Sequence, residues 1–121
     1  MTKMQNSKRY DLEERTFAFA KRVRAFVKKL PKTAANIEDG RQVIKASGSV
    51  GANYIEANEA LSKKDFVMRI KISRKEAKES GYWLKLTDTN SDQEMEGERK
   101  DLEKEARELT SIFGAILRKS K

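Results

Sequence analysis

Residues 11–31 read DLEERTFAFAKRVRAFVKKLP, and the spacing of their apolar members decides the fold class. Leu12, Thr16, Phe19, Val23, Phe26 and Leu30 recur at alternating intervals of four and three. That is the heptad pattern of a helix burying one stripe against a partner. Arg15, Lys21, Arg22, Lys28 and Lys29 fill the remaining faces. The stretch also supplies its own ends. Asp11 is placed to cap the free amides, with Glu14 three residues on, and Pro31 stops the helix because the residue before a proline avoids the helical region. The first helix is therefore expected to begin at Asp11. Residues 1–10, with Lys3, Lys8 and Arg9 and almost nothing to bury, are expected to form a flexible basic arm ahead of a single domain over residues 11–121.

Three further helices follow from the same rule. The second is expected from near Asn36, a capable cap with Asp39 three residues later, to about Ala60. Its middle is unusual: Ser47, Gly48, Ser49, Gly51 and Ala52 cluster where each glycine costs roughly 1 kcal/mol relative to alanine. A loop break and a close approach by a neighbouring backbone both account for the cluster. Ile37, Ile44, Gly51, Tyr54 and Asn58 keep helical spacing straight through it, which favours close packing. Ser62-Lys63-Lys64-Asp65 is a second capping pattern, opening a third helix to about Thr87 with Phe66, Ile70, Ser73, Ala77, Ser80 and Leu84 on its inner face. After the polar turn 88–92, Met95, Leu102, Ala106, Leu109, Ile112, Phe113 and Ile116 trace a fourth helix up to Arg118. Glu94, Glu96, Glu98, Asp101, Glu103 and Glu105 alternate there with Arg99, Lys100 and Lys104, the pattern of a solvated face laced with ion pairs. Four helices with short joints predict an all-α, antiparallel up-down-up-down four-helix bundle.

Composition agrees and narrows the function. A chain of 121 residues, 37% hydrophobic and 38% charged with one proline, can fill one core but hardly two. There is no cysteine and no histidine, so disulfides, thiolate chemistry, the commonest general base and the commonest zinc ligand are all absent. No apolar stretch approaches a membrane span or a signal segment, which predicts a cytoplasmic protein without membrane association. The net charge of +8 and pI of about 9.7 predict an attraction to polyanions, RNA or DNA above all, or to an acidic protein partner. A basic surface kept for solubility is the simpler alternative.

The charge is not evenly spread. Between Ser62 and Asp88 eight Lys or Arg face four acidic residues, making the third helix the most basic long element. Lys63, Lys64, Arg69, Lys71, Arg74, Lys75 and Lys78 are the candidate nucleic-acid-binding residues. Charge reversal of Lys71, Lys75 and Lys78 is expected to weaken polyanion binding with little loss of helicity. Tyr82 and Trp83 lie among Lys75, Lys78 and Lys85; they suit a core or oligomer contact, with base stacking as the alternative.

Catalysis has few candidates. Asn53 and Glu56 lie three apart on the second helix, and Glu76 and Glu79 on the third, so each pair shares a face. Di-iron bundles take Glu-x-x-His pairs that this chain lacks, and Gly48 and Gly51 have neither the lysine nor the strand of a phosphate loop. Neither a cofactor nor a metal is expected. Ser49, Asn53 and Glu56 fit a hydrogen-bonded network that fixes helix register, or a salt-bridged seam to Arg74 or another subunit.

The run Ser49-Val50-Gly51-Ala52-Asn53-Tyr54-Ile55-Glu56-Ala57, then Lys63-Lys64-Asp65-Phe66, then Arg74-Lys75-Glu76-Ala77-Lys78-Glu79-Ser80-Gly81-Tyr82-Trp83-Leu84, resembles the bacterial four-helix-bundle family encoded within intervening sequences of 23S ribosomal RNA genes. The opening Asp11-Leu12-Glu13-Glu14-Arg15-Thr16 before Phe19-Ala20 is similar too, so the likeness covers about Asp11 to Leu117. Lys45 stands where an arginine is expected, and Gly81 where a larger residue is usual. The resemblance implies an antiparallel four-helix bundle assembling into a ring-like homopentamer without established enzymatic activity. It also implies likeness to a bundle that accompanies diversity-generating retroelements and binds nucleic acid and a reverse transcriptase. The candidate structural and oligomer residues are Ser49, Gly51, Asn53, Tyr54, Glu56, Glu79, Tyr82 and Trp83. The expected function is a non-enzymatic nucleic-acid-binding accessory protein acting as a homo-oligomer, with a structural module for an acidic protein partner as the alternative.

Overall fold

Every position of the heptad seam from Leu12 to Leu30 is buried. The helix carrying it, α1, spans Thr2–Lys29 in the computed structural model, which describes the backbone of residues 2–121 and side chains from Leu12 onward. Helical backbone on both sides of Asp11 means that the helix does not start there, against the expectation from the capping pattern. The side chain of Asp11 and the expected flexibility of the arm lie outside the described residues. Thr16, the one polar member of the seam, satisfies its hydroxyl by donating to the carbonyls of Leu12, 2.9 Å, and Glu13, 3.0 Å.

The remaining described elements are α2 (Ala34–Asn58), α3 (Lys63–Leu86) and α4 (Gln93–Lys119), with no strand among the described residues. Side chains from all four helices meet in one hydrophobic core, with Phe19, Phe26, Val43, Val50, Ile70, Leu84, Leu109 and Phe113 excluded from water. Ser62 caps α3 as its sequence predicts, accepting from the Asp65 amide at 3.1 Å, and Asp92 caps α4 through the Met95 amide at 3.0 Å.

The cap of α2 differs from expectation. Thr33 accepts from the Asn36 amide at 3.1 Å, and Asn36 is buried instead. Its side-chain amide donates to the carbonyls of Pro31, 3.0 Å, and Asp88, 2.8 Å, and its oxygen accepts from the Asp88 amide at 2.9 Å. One asparagine thus ties the α1–α2 joint to the α3–α4 joint, satisfying three backbone groups that no helix ladder reaches. Ile37 is half exposed rather than inward, since Asn36 takes the buried position beside it.

The small-residue cluster is helical throughout, so close approach rather than a loop break explains it. A Cβ on Gly51 would lie 2.9 Å from Thr16 Oγ1, and one on Gly40 would lie 2.7 Å from Val27 Cγ1. Both are closer than non-bonded atoms tolerate. Glycine at these two positions lets α2 seat against α1. α2 meets α3 through Ser73, whose hydroxyl donates to the Val50 carbonyl at 2.9 Å, and α3 meets α4 where Gly81 approaches Ala106.

Candidate nucleic-acid interface

The bundle's charges fall into two settings. Along α1 and α4, Arg15, Lys29 and Arg99 are paired. The Arg15 guanidinium grips Glu105 through two hydrogen bonds of 2.7 and 2.8 Å and reaches Glu108 at 2.7 Å. The Glu105 hydrogen bond holds the Arg15 pKa above its ordinary value, against burial, which would lower it. Lys29 pairs with Glu98, and Arg99 with Glu96 and Glu103. Of the alternating charges of α4, Glu98 and Glu105 therefore pair across to α1, and Glu96, Arg99 and Glu103 pair along their own helix.

Between α3 and α4 the cations are not paired. A groove of about 520 Å³ is lined by Arg74, Lys78, Lys85 and Arg107, with Tyr82 on its α3 wall and Thr110 and Ser111 on its α4 wall. Ala77, Gly81 and Ala106 make a floor of small side chains. None of the four cations makes an ion pair with a described residue; the single carboxylate of the lining, Glu103, lies 3.6 Å from Arg99 Nε instead. Helical spacing explains the α3 wall, because Arg74, Lys78, Gly81 and Lys85 recur at four, three and four and so stack on one face. Opposed charge is limited to Glu103 because α4 meets this face with Ala106, Arg107 and the hydroxyls of Thr110 and Ser111 and turns its other acids elsewhere.

The expected binding residues divide accordingly. Lys63, Lys64, Lys71, Lys75 and Lys78 are exposed on α3, and Arg74 is exposed at the groove. Arg69 is half-buried and donates to the Asn53 side chain at 3.0 Å, while Asn53 donates to the Ser49 carbonyl at 3.0 Å and hydroxyl at 2.9 Å. Ser49, Asn53 and Arg69 therefore form a network joining α2 to α3, and exposed Glu56 stands outside it. Gly51 packs on Thr16, and Tyr54 is buried with its ring 5.8 Å from that of Phe113. Trp83 is half-buried against the core, whereas Tyr82 is 58% exposed and so is no core anchor. The two rings meet edge to face at 5.1 Å. Glu79 is exposed; Glu76 is half-buried, and burial pushes its carboxyl above the usual range, with the Glu79 charge adding and Lys75 and Lys45 opposing.

Arg107, Thr110 and Ser111 were not among the residues that the sequence singled out. The run before them is dominated by acid, and only the packing of α4 on α3 separates this wall from the paired face. Among the described residues no cluster of acidic side chains is arranged to hold a metal, and no helix is long and apolar enough to cross a membrane.

A four-helix all-α protein with an unpaired basic groove is the class these features define. The profile of the 23S rRNA-intervening sequence protein family matches residues 8–115, and the chain belongs to that family. Among solved structures, the chain is similar to a protein of unknown function from the S23 ribosomal protein family of Bacteroides thetaiotaomicron. The two are 26% identical with a TM-score of 0.75, over 87% of this chain and 96% of that one. A search of curated proteins gave no match.

Proposed function

We propose that this protein is a non-enzymatic, nucleic-acid-binding accessory protein that works as a cytoplasmic homo-oligomer. The observation that carries the reading is the set of cations along the α3–α4 groove with no carboxylate partner. Lysine and arginine left without partners on one face are what a phosphate backbone neutralises, and they add to the overall charge of +8. The family's name, which ties it to intervening sequences of 23S rRNA, makes RNA the first ligand to try.

The same reading takes the helices as running alternately up and down. Contact pairs support it: residue numbers rise on α2 from Gly40 to Gly51 as their α1 partners fall from Val27 to Thr16. From Gly81 to Gly114 the α4–α3 contacts likewise run in opposite order, Ala106 facing Gly81 and Arg74 facing Gly114. The oligomer, a pentamer by family resemblance, draws support from the opposite side of the bundle. Phe17 and Ile55, 66% and 51% exposed, line an α1–α2 groove with Ala20 and Ala52. Apolar surface grouped in this way is better covered than left in water.

The test is retention of structured RNA as salt rises from about 50 to 200 mM, over which several phosphate contacts give a steep loss of affinity. Charge reversal at Lys71, Lys75 and Lys78 should weaken binding while circular dichroism stays unchanged. No retention of RNA or DNA at low salt would overturn the reading. An acidic protein recovered from nuclease-treated lysate would put that partner in its place. A light-scattering mass equal to the 13.9 kDa monomer would remove the oligomer.

A further inference from the structure

The α3–α4 groove carries two details that a general basic surface does not need. Just beyond the lining, where Arg74 ends the groove, α4 carries the buried Gly114, and the guanidinium groups of Arg74 on α3 and Arg118 on α4 both lie close to it. A Cβ there would lie 3.6 Å from Arg74 Nε and 3.5 Å from Arg118 Nη1. Neither arginine has a carboxylate partner among the described residues. Two cations near one glycine favour a shared anion, and planar guanidinium groups match phosphate oxygens in geometry and hydrogen bonding.

Further along the groove stands Tyr82, its ring edge to face with Trp83 yet more than half exposed, with Lys78, Lys85 and Arg107 also lining the groove. The Ser111 hydroxyl is exposed on the opposite wall. A duplex offers its phosphates to such cations but keeps its bases stacked on one another, so an open aromatic ring has nothing to meet there. An unpaired strand offers both. A row of cations beside an exposed aromatic ring is the arrangement that holds single strands through phosphates and stacked bases. The groove, about 520 Å³ and open to solvent, has room for a nucleotide.

We infer that this groove is a single-strand site: Arg74 and Arg118 clamp a phosphate over Gly114, and a nearby unstacked base lies on Tyr82. The inference rests on the nucleic-acid reading above and specifies which form of nucleic acid the groove takes.

The experiment compares a uridine single-stranded RNA, a blunt RNA duplex of equal length and inorganic phosphate, each titrated into the full chain at low salt. Trp83, the only tryptophan, reports from beside Tyr82. The single strand should bind about tenfold or more tighter than the duplex and quench Trp83 emission, which neither duplex nor phosphate should do. Tyr82→Ala should remove that preference by lowering single-strand affinity about tenfold, with duplex affinity unchanged, and Tyr82→Phe should restore it. Gly114→Asp would place a carboxylate between the two guanidinium groups and should lower single-strand affinity and flatten its salt dependence. Should that variant not fold, the double change Arg74→Gln and Arg118→Gln reads the same contact. Equal binding of single strand and duplex, indifferent to Tyr82→Ala, would overturn this inference while leaving nucleic-acid binding standing. Binding of neither RNA would remove both, and binding of phosphate alone would reduce the groove to a simple anion site.

Discussion

The α1–α4 seam and the α3–α4 groove share a helix but use cations in opposite ways. At the seam, Arg15 and Lys29 meet Glu105, Glu108 and Glu98, so their charge is spent inside the molecule. At the groove, Arg74, Lys78, Lys85 and Arg107 face alanines, a glycine and hydroxyls, and their charge is left for something outside. The acids that α4 turns toward α1 occupy Arg15 and Lys29, and none of them reaches the groove. Net charge alone does not mark a binding site, because Arg15, Lys29 and Arg99 contribute to it and yet are paired within the bundle.

The largest effect should come from the packing that seats α2 on α1. Gly51→Leu drives a side chain into Thr16, where even a Cβ would lie 2.9 Å from the hydroxyl. It should cost about 1–3 kcal/mol or more in thermal denaturation, or dissociate the assembly. An unperturbed melting temperature and mass would mean that α2 is not held against α1 there.

Arg15→Ala comes next. Glu105, with a side chain only 15% exposed, would lose its bidentate partner, so a loss of about 1–3 kcal/mol is expected. RNA affinity should stay within about twofold of wild type, since Arg15 is already neutralised. A stability change below about 0.5 kcal/mol together with a marked loss of RNA binding would reverse the roles given to the two regions.

Much of this was legible in the sequence, and its omissions have a physical pattern. The buried face of α1, the inner face of α3 and the Ser62 cap follow from periodicity and local hydrogen bonding, which act within one helix. Asn36 was legible as a polar residue at a helix start, but its partner Asp88 lies 52 residues away and no local rule finds it. The basic wall on α3 was visible in its composition. The groove was not, because Arg107, Thr110 and Ser111 belong to it only by virtue of how α4 packs, and because Arg69 is withdrawn into the Ser49–Asn53 network.

The smallest effect concerns Glu76. Burial and the neighbouring Glu79 raise its pKa, so its ionised form destabilises the folded state; that penalty is fully present above the raised pKa and is relieved as pH falls through it. Glu76→Gln should therefore raise the melting temperature slightly at neutral pH, with the difference shrinking as the pH falls into the ordinary carboxylate range. A lowered melting temperature at neutral pH would show that the charge stabilises the α3 face instead.

The contrast between spent and available cations is tested most directly by the salt dependence of RNA affinity in two triple variants. Arg74→Ala, Lys78→Ala and Arg107→Ala together should lower the slope of log affinity against log salt by about two to three, roughly one per lost phosphate contact. Arg15→Ala, Lys29→Ala and Arg99→Ala remove as many positive charges, all of them paired within the bundle, and should leave the slope unchanged within about half a unit. Equal slopes for the two variants would contradict the account, since RNA would then be answering to net charge and not to the groove.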